Sequence, residues 1–124
     1  MAKIIIVDDS VTVRNMVSSI LKRDGHEVSE SQDGRRAFTI ARKSQFDLVL
    51  TDLIMPGCSG IDLLRKLKQL QRYTQVPVLL MSTDNQEKTK AEGRVAGAAG
   101  WITKPFDPAK LRSTVNYLLQ DQPG

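Results

Sequence analysis

Short, dense apolar runs alternate along the chain with longer stretches of helical periodicity. Residues 4–7, 48–50 and 78–81 are almost wholly apolar and often β-branched. Such runs predict strands buried on both faces, as in a parallel sheet covered by helices. Glu27–Ser31 and Gly100–Thr103 are weaker strand candidates. Val28 is the one strongly apolar residue of the former, which a sheet edge tolerates. Val13, Met16, Val17 and Ile20 recur at helical spacing, with Ser10 placed to cap that helix and Gly25 to stop it. Ala37, Ile40 and Ala41 mark a second helix; Ile61, Leu64 and Leu67 mark a third, preceded by Ser59. Residues 88–96 form the fourth and least apolar helix, whose sparse stripe of Ala91, Val95 and Ala98 predicts loose packing. In the fifth, Asp107 caps, Pro108 takes the first turn, and Leu111, Val115, Leu118 and Leu119 share a face.

Strand and helix thus alternate five times. Parallel neighbours joined by right-handed helical crossovers make an α/β fold, a doubly wound five-stranded parallel sheet flanked by five helices. The strand order expected at this length is 2-1-3-4-5. No internal repeat, linker or low-complexity segment interrupts the pattern, and residues 120–124 read as a frayed tail.

A chain of 124 residues suits one domain, spanning 1–124, with a core large enough to stand without disulfides. Cys58 is the only cysteine, so an internal disulfide is excluded; this agrees with a reducing, cytoplasmic setting. Its Gly/Pro-rich surroundings predict an exposed thiol. Met16, Met55 and Met81 read as core or loop filling, and nothing gives His26 a ligand role. The N-terminal apolar run is too short for a signal peptide, and no stretch approaches the roughly 20 apolar residues of a membrane span. The expectation is a soluble protein without membrane insertion. The net charge is +4, with Lys and Arg scattered along the chain. Solvated helix faces are the plainer explanation; a nucleic-acid surface would want one basic stripe and a recognised motif.

Ligands of open α/β sheets bind beyond the carboxyl ends of the strands. Asp8 and Asp9 follow the first strand, Asp52 the third, Ser82 and Thr83 the fourth, and Lys104 the fifth. Singly, each has an ordinary explanation. Asp-Asp-Ser caps helices, Asp52 suits the turn before Met55-Pro56-Gly57, and Ser82 or Thr83 could cap the fourth helix. Jointly, on one rim, they point to a shared site. Three carboxylates together raise one another's pKa, and a divalent cation relieves that conflict. Hard oxygen donors without His or Cys indicate Mg²⁺ or Mn²⁺ rather than zinc. A carboxylate can attack phosphorus to form an acyl phosphate, while a metal, a lysine and a hydroxyl stabilise the spread negative charge.

The stretches at 5–10 (IIVDDS), 47–60 (DLVLTDLIMPGCSG), 77–82 (PVLLMS) and 97–107 (GAAGWITKPFD) resemble the receiver domain of bacterial two-component response regulators, most of all the single-domain chemotaxis regulators. The resemblance covers essentially the whole chain and implies a flavodoxin-like receiver fold. It implies Asp52 as phosphoacceptor, with Asp9 and Asp52 as direct Mg²⁺ ligands. Asp8 would act largely through metal-bound water, and the backbone carbonyl of Ile54 would complete the protein ligands. Ser82 corresponds to the switch hydroxyl, Lys104 to the site lysine with a cis bond to Pro105, and Trp101 to the aromatic switch. That switch is commonly Tyr or Phe, and an indole is bulkier and has no acceptor. Ile54 and Asp84 take the positions that tune self-dephosphorylation.

These implications describe a signalling switch, not an enzyme acting on external substrates. A histidine kinase of the chemotaxis type would donate the phosphoryl group to Asp52, and a face formed by the fourth helix, fifth strand and fifth helix would respond. Trp101, Lys88, Arg94 and Leu111 lie in those elements. The chain ends after the receiver, so output by protein–protein binding is expected, with the flagellar motor switch as first target and a phosphatase as a further partner. Pilus motility or a phosphorelay is the alternative setting. A Mg²⁺-dependent aspartyl-phosphate phosphohydrolase of the haloacid-dehalogenase type would want a second Asp where Ile54 stands. A flavodoxin-type cofactor protein would want a phosphate-cradling loop where the chain has Asp8 and Asp9.

Overall fold

Each central strand has two apolar faces, and the structure sends them to different helical layers. In the computed structural model, which describes residues 1–84 and 86–120, strands and helices alternate throughout. They are β1 (Lys3–Val7), α1 (Val11–Arg23), β2 (Glu27–Ser31), α2 (Gly34–Lys43), β3 (Leu48–Asp52), α3 (Gly60–Lys68), β4 (Val78–Ser82), α4 (Glu87–Ala96), β5 (Gly100–Thr103) and α5 (Pro108–Gln120), with a single 3-10 turn at Gln71–Tyr73. All strand pairs are parallel, in the order β2-β1-β3-β4-β5, as expected. Gln120 closes α5; the rest of the expected frayed tail lies outside the described residues.

Ile5, Val7, Val49, Val78 and Leu80 face α2 and α3, where Ala37, Ala41, Ile61, Leu64 and Leu67 meet them. The alternate residues Ile4, Ile6, Leu48, Leu50, Leu79 and Met81 face α1 and α5, against Val17, Leu21, Leu111, Val115 and Leu118. This division explains why the strands read as unbroken apolar runs. The caps form as the side chains dictate. Ser10 Oγ accepts from Val13 N at 3.3 Å, Ser59 Oγ from Asp62 N at 3.1 Å and Asp107 Oδ1 from Ala109 N at 3.1 Å. Tyr73 anchors the turn before β4, its buried hydroxyl donating toward the carbonyls of Ala41 and Ser44 and accepting from Phe46 N.

Three expectations change. Met16 is exposed, because the buried stripe of α1 runs through Val17, Ser18 and Leu21. Val95 is 88% exposed; the inward position of α4 is Gly93, so the helix lies close to the sheet without an apolar stripe. Cys58 is buried, since its loop folds back and sets the thiol against the first turn of α2, beside Gly34.

Candidate functional site

The register of the sheet decides which loop residues meet. Val7 lies beside Thr51, so Asp8 and Asp52, the next residues of the two central strands, are neighbours at the carboxyl edge. Asp52 pairs with Met81 and Ser82 with Thr103, which staggers Ser82 and Lys104 one step further out. Lys104 N donates to Ser82 O at 2.7 Å and ties the two loops together; the Lys104–Pro105 bond is cis. Close approach of α3 completes the scaffold. A Cβ on Gly60 would lie 2.3 Å from the carbonyl oxygen of Asp52, so only glycine lets the helix start so near the strand end.

One carboxylate oxygen from each of Asp8, Asp9 and Asp52 lies within 4.8 Å of the others. Asp8 is fully buried, Asp52 is buried and Asp9 is exposed. Lys104 Nζ stands 2.7 Å from Asp8 Oδ2 and 3.2 Å from Asp52 Oδ1. Asp8 Oδ1 accepts from Ser10 N at 2.9 Å, and Asp52 Oδ1 from Leu53 N at 2.9 Å. Asp52 Oδ2 has no donor among the described residues. Burial, followed by the negative charge of Asp8, holds the Asp52 carboxyl above its ordinary range, although Lys104 opposes both. Burial also pulls the Lys104 ammonium down, but its hydrogen bonds and charge contacts with Asp8 and Asp52 together outweigh this and raise it. The cluster offers oxygen donors only, which fits a hard divalent cation and not zinc.

The remaining predicted residues divide into those at the cluster and those beside it. Ser82 is buried, and its Oγ accepts from Asp84 N at 3.0 Å; it does not cap α4, whose N-cap is Gln86. The Asp84 carboxylate is already engaged, accepting from Gln86 N at 2.9 Å and Thr89 Oγ1 at 3.0 Å. Ile54 is 69% exposed two residues after Asp52. Trp101 is half-buried over Gly93, and its Nε1 is buried without a hydrogen-bond partner among the described residues. Leu111 is fully buried against β-sheet and α1 side chains, so it cannot belong to an output face; Lys88 and Arg94 remain exposed there. Arg14 is an unpredicted neighbour: its Nη1 donates to the Asp8 carbonyl, and its Nε lies 3.4 Å from Glu30. An arginine on a helix carries no local signal of that role.

A doubly wound sheet with three aspartates and a lysine at one edge defines a receiver. The chain belongs to the response regulator receiver domain family, which it matches over residues 4–116. It is 36% identical to PilH of Pseudomonas aeruginosa over 119 residues, 96% of this chain and 98% of that one. To the chemotaxis protein CheY-3 of Vibrio cholerae it is 35% identical over 119 residues, 95% of this chain and 92% of that one. The solved structure of the chemotaxis response regulator CheY4 of Vibrio cholerae superposes with a TM-score of 0.92 at 37% identity, covering 95% of this chain and 98% of that one. Longer regulators match through part of their length. PhoB of Pseudomonas aeruginosa is 33% identical over 117 residues, which are 94% of this chain and 51% of that protein. The chain is therefore a two-component signalling switch of the receiver class. Among the described residues, no helix is long and apolar enough to cross a membrane.

Proposed function

We propose that Asp52 accepts the phosphoryl group of a histidine kinase and that the added charge resets the surface around α4, β5 and α5. The observation carrying this reading is the convergence of Asp8, Asp9 and Asp52 within 4.8 Å, with Lys104 Nζ 2.7 Å from Asp8 and 3.2 Å from Asp52. Asp52 Oδ2, free of donors among the described residues, is the nucleophile. Its lone pair forms the bond to phosphorus as the P–N bond of a phosphohistidine breaks. The released imidazole nitrogen keeps that bonding pair and takes a proton from water. Asp8, Asp9, Asp52 and the Ile54 carbonyl would hold Mg²⁺ or Mn²⁺, which when bound supplies positive charge beside the transferring oxygens.

Lys104 neutralises charge on the phosphoryl oxygens, and Ser82 gives up its contact with Asp84 N to donate to one of them. The shared backbone contact between Ser82 and Lys104 carries that movement toward β5 and Trp101. Ile54 and Asp84 tune how long the acyl phosphate lasts. Phosphorylation makes the chain its own substrate, so it turns over no external one. The expected setting is the cytoplasm, with a chemotaxis-type kinase, a flagellar motor switch protein as output target and a phosphatase. Pilus motility is the second output.

Acetyl phosphate with Mg²⁺ should add the mass of one phosphoryl group to the wild type and none to Asp52→Asn. It should also change the fluorescence of Trp101, the single tryptophan. A wild type that gains no phosphoryl mass rejects the reading. Pull-down with the phosphorylated chain separates the outputs: a motor component supports the first and a pilus component the second.

A further inference from the structure

Cations that look scattered along the sequence collect on one face of the fold. Helix α2 carries Arg35, Arg36, Arg42 and Lys43 and no acid, and α3 carries Arg65, Lys66 and Lys68 with Asp62 alone. The two helices are therefore net +6, against +4 for the whole chain, which leaves −2 for everything else. They lie side by side over the same core. Lys68 is spent inside the protein, donating to the carbonyls of Tyr73, Thr74 and Val76 at 3.1, 3.4 and 2.7 Å. The other six are exposed. Arg36 has Asp33 at 3.4 Å and Arg65 has Asp62 at 3.9 Å. Arg35, Arg42, Lys43 and Lys66 have no carboxylate within ion-pair distance among the described residues.

Geometry makes this a surface and not only a count. Half-buried Phe38 sits on the seam, with Arg42 of α2 5.8 Å and Lys66 of α3 6.0 Å from its ring centre. One aromatic thus holds a cation from each helix on the same outward face. At the upper end of the seam, Arg35 and Gly57 form a wall shared by two adjoining clefts. One, of about 500 Å³, reaches Asp9 and Pro56; the other, of about 260 Å³, reaches Arg65 and Lys66.

We infer that the α2–α3 face docks an acidic segment of a protein partner. Arginine forks match separate carboxylates bidentately, and most of these cations are arginines. Asp9, Asp33 and Asp62 interrupt the patch and would repel a continuous phosphate backbone. The one aromatic on the seam is already flanked by two cations, so it offers no open platform for stacked bases. A membrane surface needs exposed apolar residues beside the cations. The exposed large apolar residues Met1, Val11, Met16, Ile54, Val95 and Tyr117 all lie outside α2 and α3. Such a partner would reach the edge of the acidic site at Arg35 and Pro56 without using the α4–β5–α5 face.

The test titrates the full-length, isotope-labelled chain with a ten-residue peptide of alternating Glu and Ala, following amide shifts at low salt. Amides of α2 and α3 should move most, and Arg42→Ala with Lys66→Ala should weaken binding about tenfold. Both side chains are exposed, and labelling by acetyl phosphate, unchanged in that double variant, reports that the fold is intact. Lys88→Ala with Lys90→Ala on α4 should leave binding within about twofold. The inference is overturned if both double variants weaken binding equally, or if the shifts fall elsewhere. Tighter binding of a single-stranded 20-mer DNA or of anionic phospholipid vesicles than of the peptide also overturns it.

Discussion

Asp52 sits where its charge is expensive. Burial first, and the neighbouring Asp8 second, favour its protonated form, and Lys104 offsets only part of this. The folded state therefore holds the Asp52 proton more tightly than the unfolded chain, whose value is near 3.8. Below that pH both states are protonated and the site costs nothing. As pH rises through 3.8 toward the raised folded value, the unfolded chain ionises first and folding stability falls; above the folded value the whole penalty is present. Asp52→Asn removes it. The variant should be more stable than wild type at pH 7 by about 1 kcal/mol, or about 4 °C in Tm for a domain of this size. The gain should fade as the pH drops to the ordinary aspartate range. Thermal melts across pH 3.5–7 check the sign: a constant difference, or a less stable variant at pH 7, contradicts it. Tyr73 is the converse case, a buried polar group with its partners in place. Its substitution touches no part of the acidic cluster.

At the scale of elements, two glycines facing the sheet have opposite meanings. Gly60 lies where a Cβ would meet backbone, 2.3 Å from Asp52 O and 3.0 Å from Leu53 Cα. Gly93 lies where a Cβ would meet the end of a flexible side chain, Leu80 Cδ1 at 2.9 Å, with the Trp101 ring at 3.6 Å. Gly60→Ala must move the first turn of α3 or the end of β3. It should cost about 1–3 kcal/mol and slow labelling by acetyl phosphate at least about tenfold. Gly93→Ala gains up to about 1 kcal/mol of helix propensity and should leave stability unchanged or improved, with labelling intact. Denaturant melts and labelling rates on both variants separate the cases; equal losses would contradict the contrast between a backbone and a side-chain neighbour. The same contrast marks what could be read in advance. The apolar runs of β1, β3 and β4 were legible because both faces are buried, and the rim followed because strand ends are countable. The fourth helix was legible, but its inward face was misread because the buried position is Gly93, which no hydrophobic pattern registers. Cys58 was misplaced because burial there depends on a loop folding back onto α2. The bonds from Gln86 and Thr89 to Asp84 depend on where α4 starts, which a weak stripe does not give.

For the whole molecule, the acidic cluster hangs on the two strands that organise everything else. β1 lies between β2 and β3, and β3 between β1 and β4, so Asp8, Asp9 and Asp52 close the ends of the sheet's interior. A cation bound there stabilises the folded chain by mass action, because the unfolded chain does not bring the three carboxylates together. At a free Mg²⁺ concentration one hundred times Kd, the gain is about 2.7 kcal/mol. Asp9 is the residue that isolates this effect. It is exposed and makes no hydrogen bond or ion pair among the described residues, so Asp9→Ala should leave metal-free stability within about 0.5 kcal/mol of wild type. Asp8, by contrast, is fully buried and holds both Ser10 N and Lys104, so its removal would disturb fold and metal together. Urea melts with and without Mg²⁺ should show the gain in wild type and most of it lost in Asp9→Ala, with no change in the slope against urea. If Asp9→Ala keeps the full Mg²⁺ gain, the cation is held elsewhere. If the variant loses stability without Mg²⁺, Asp9 has a structural role that its exposure conceals.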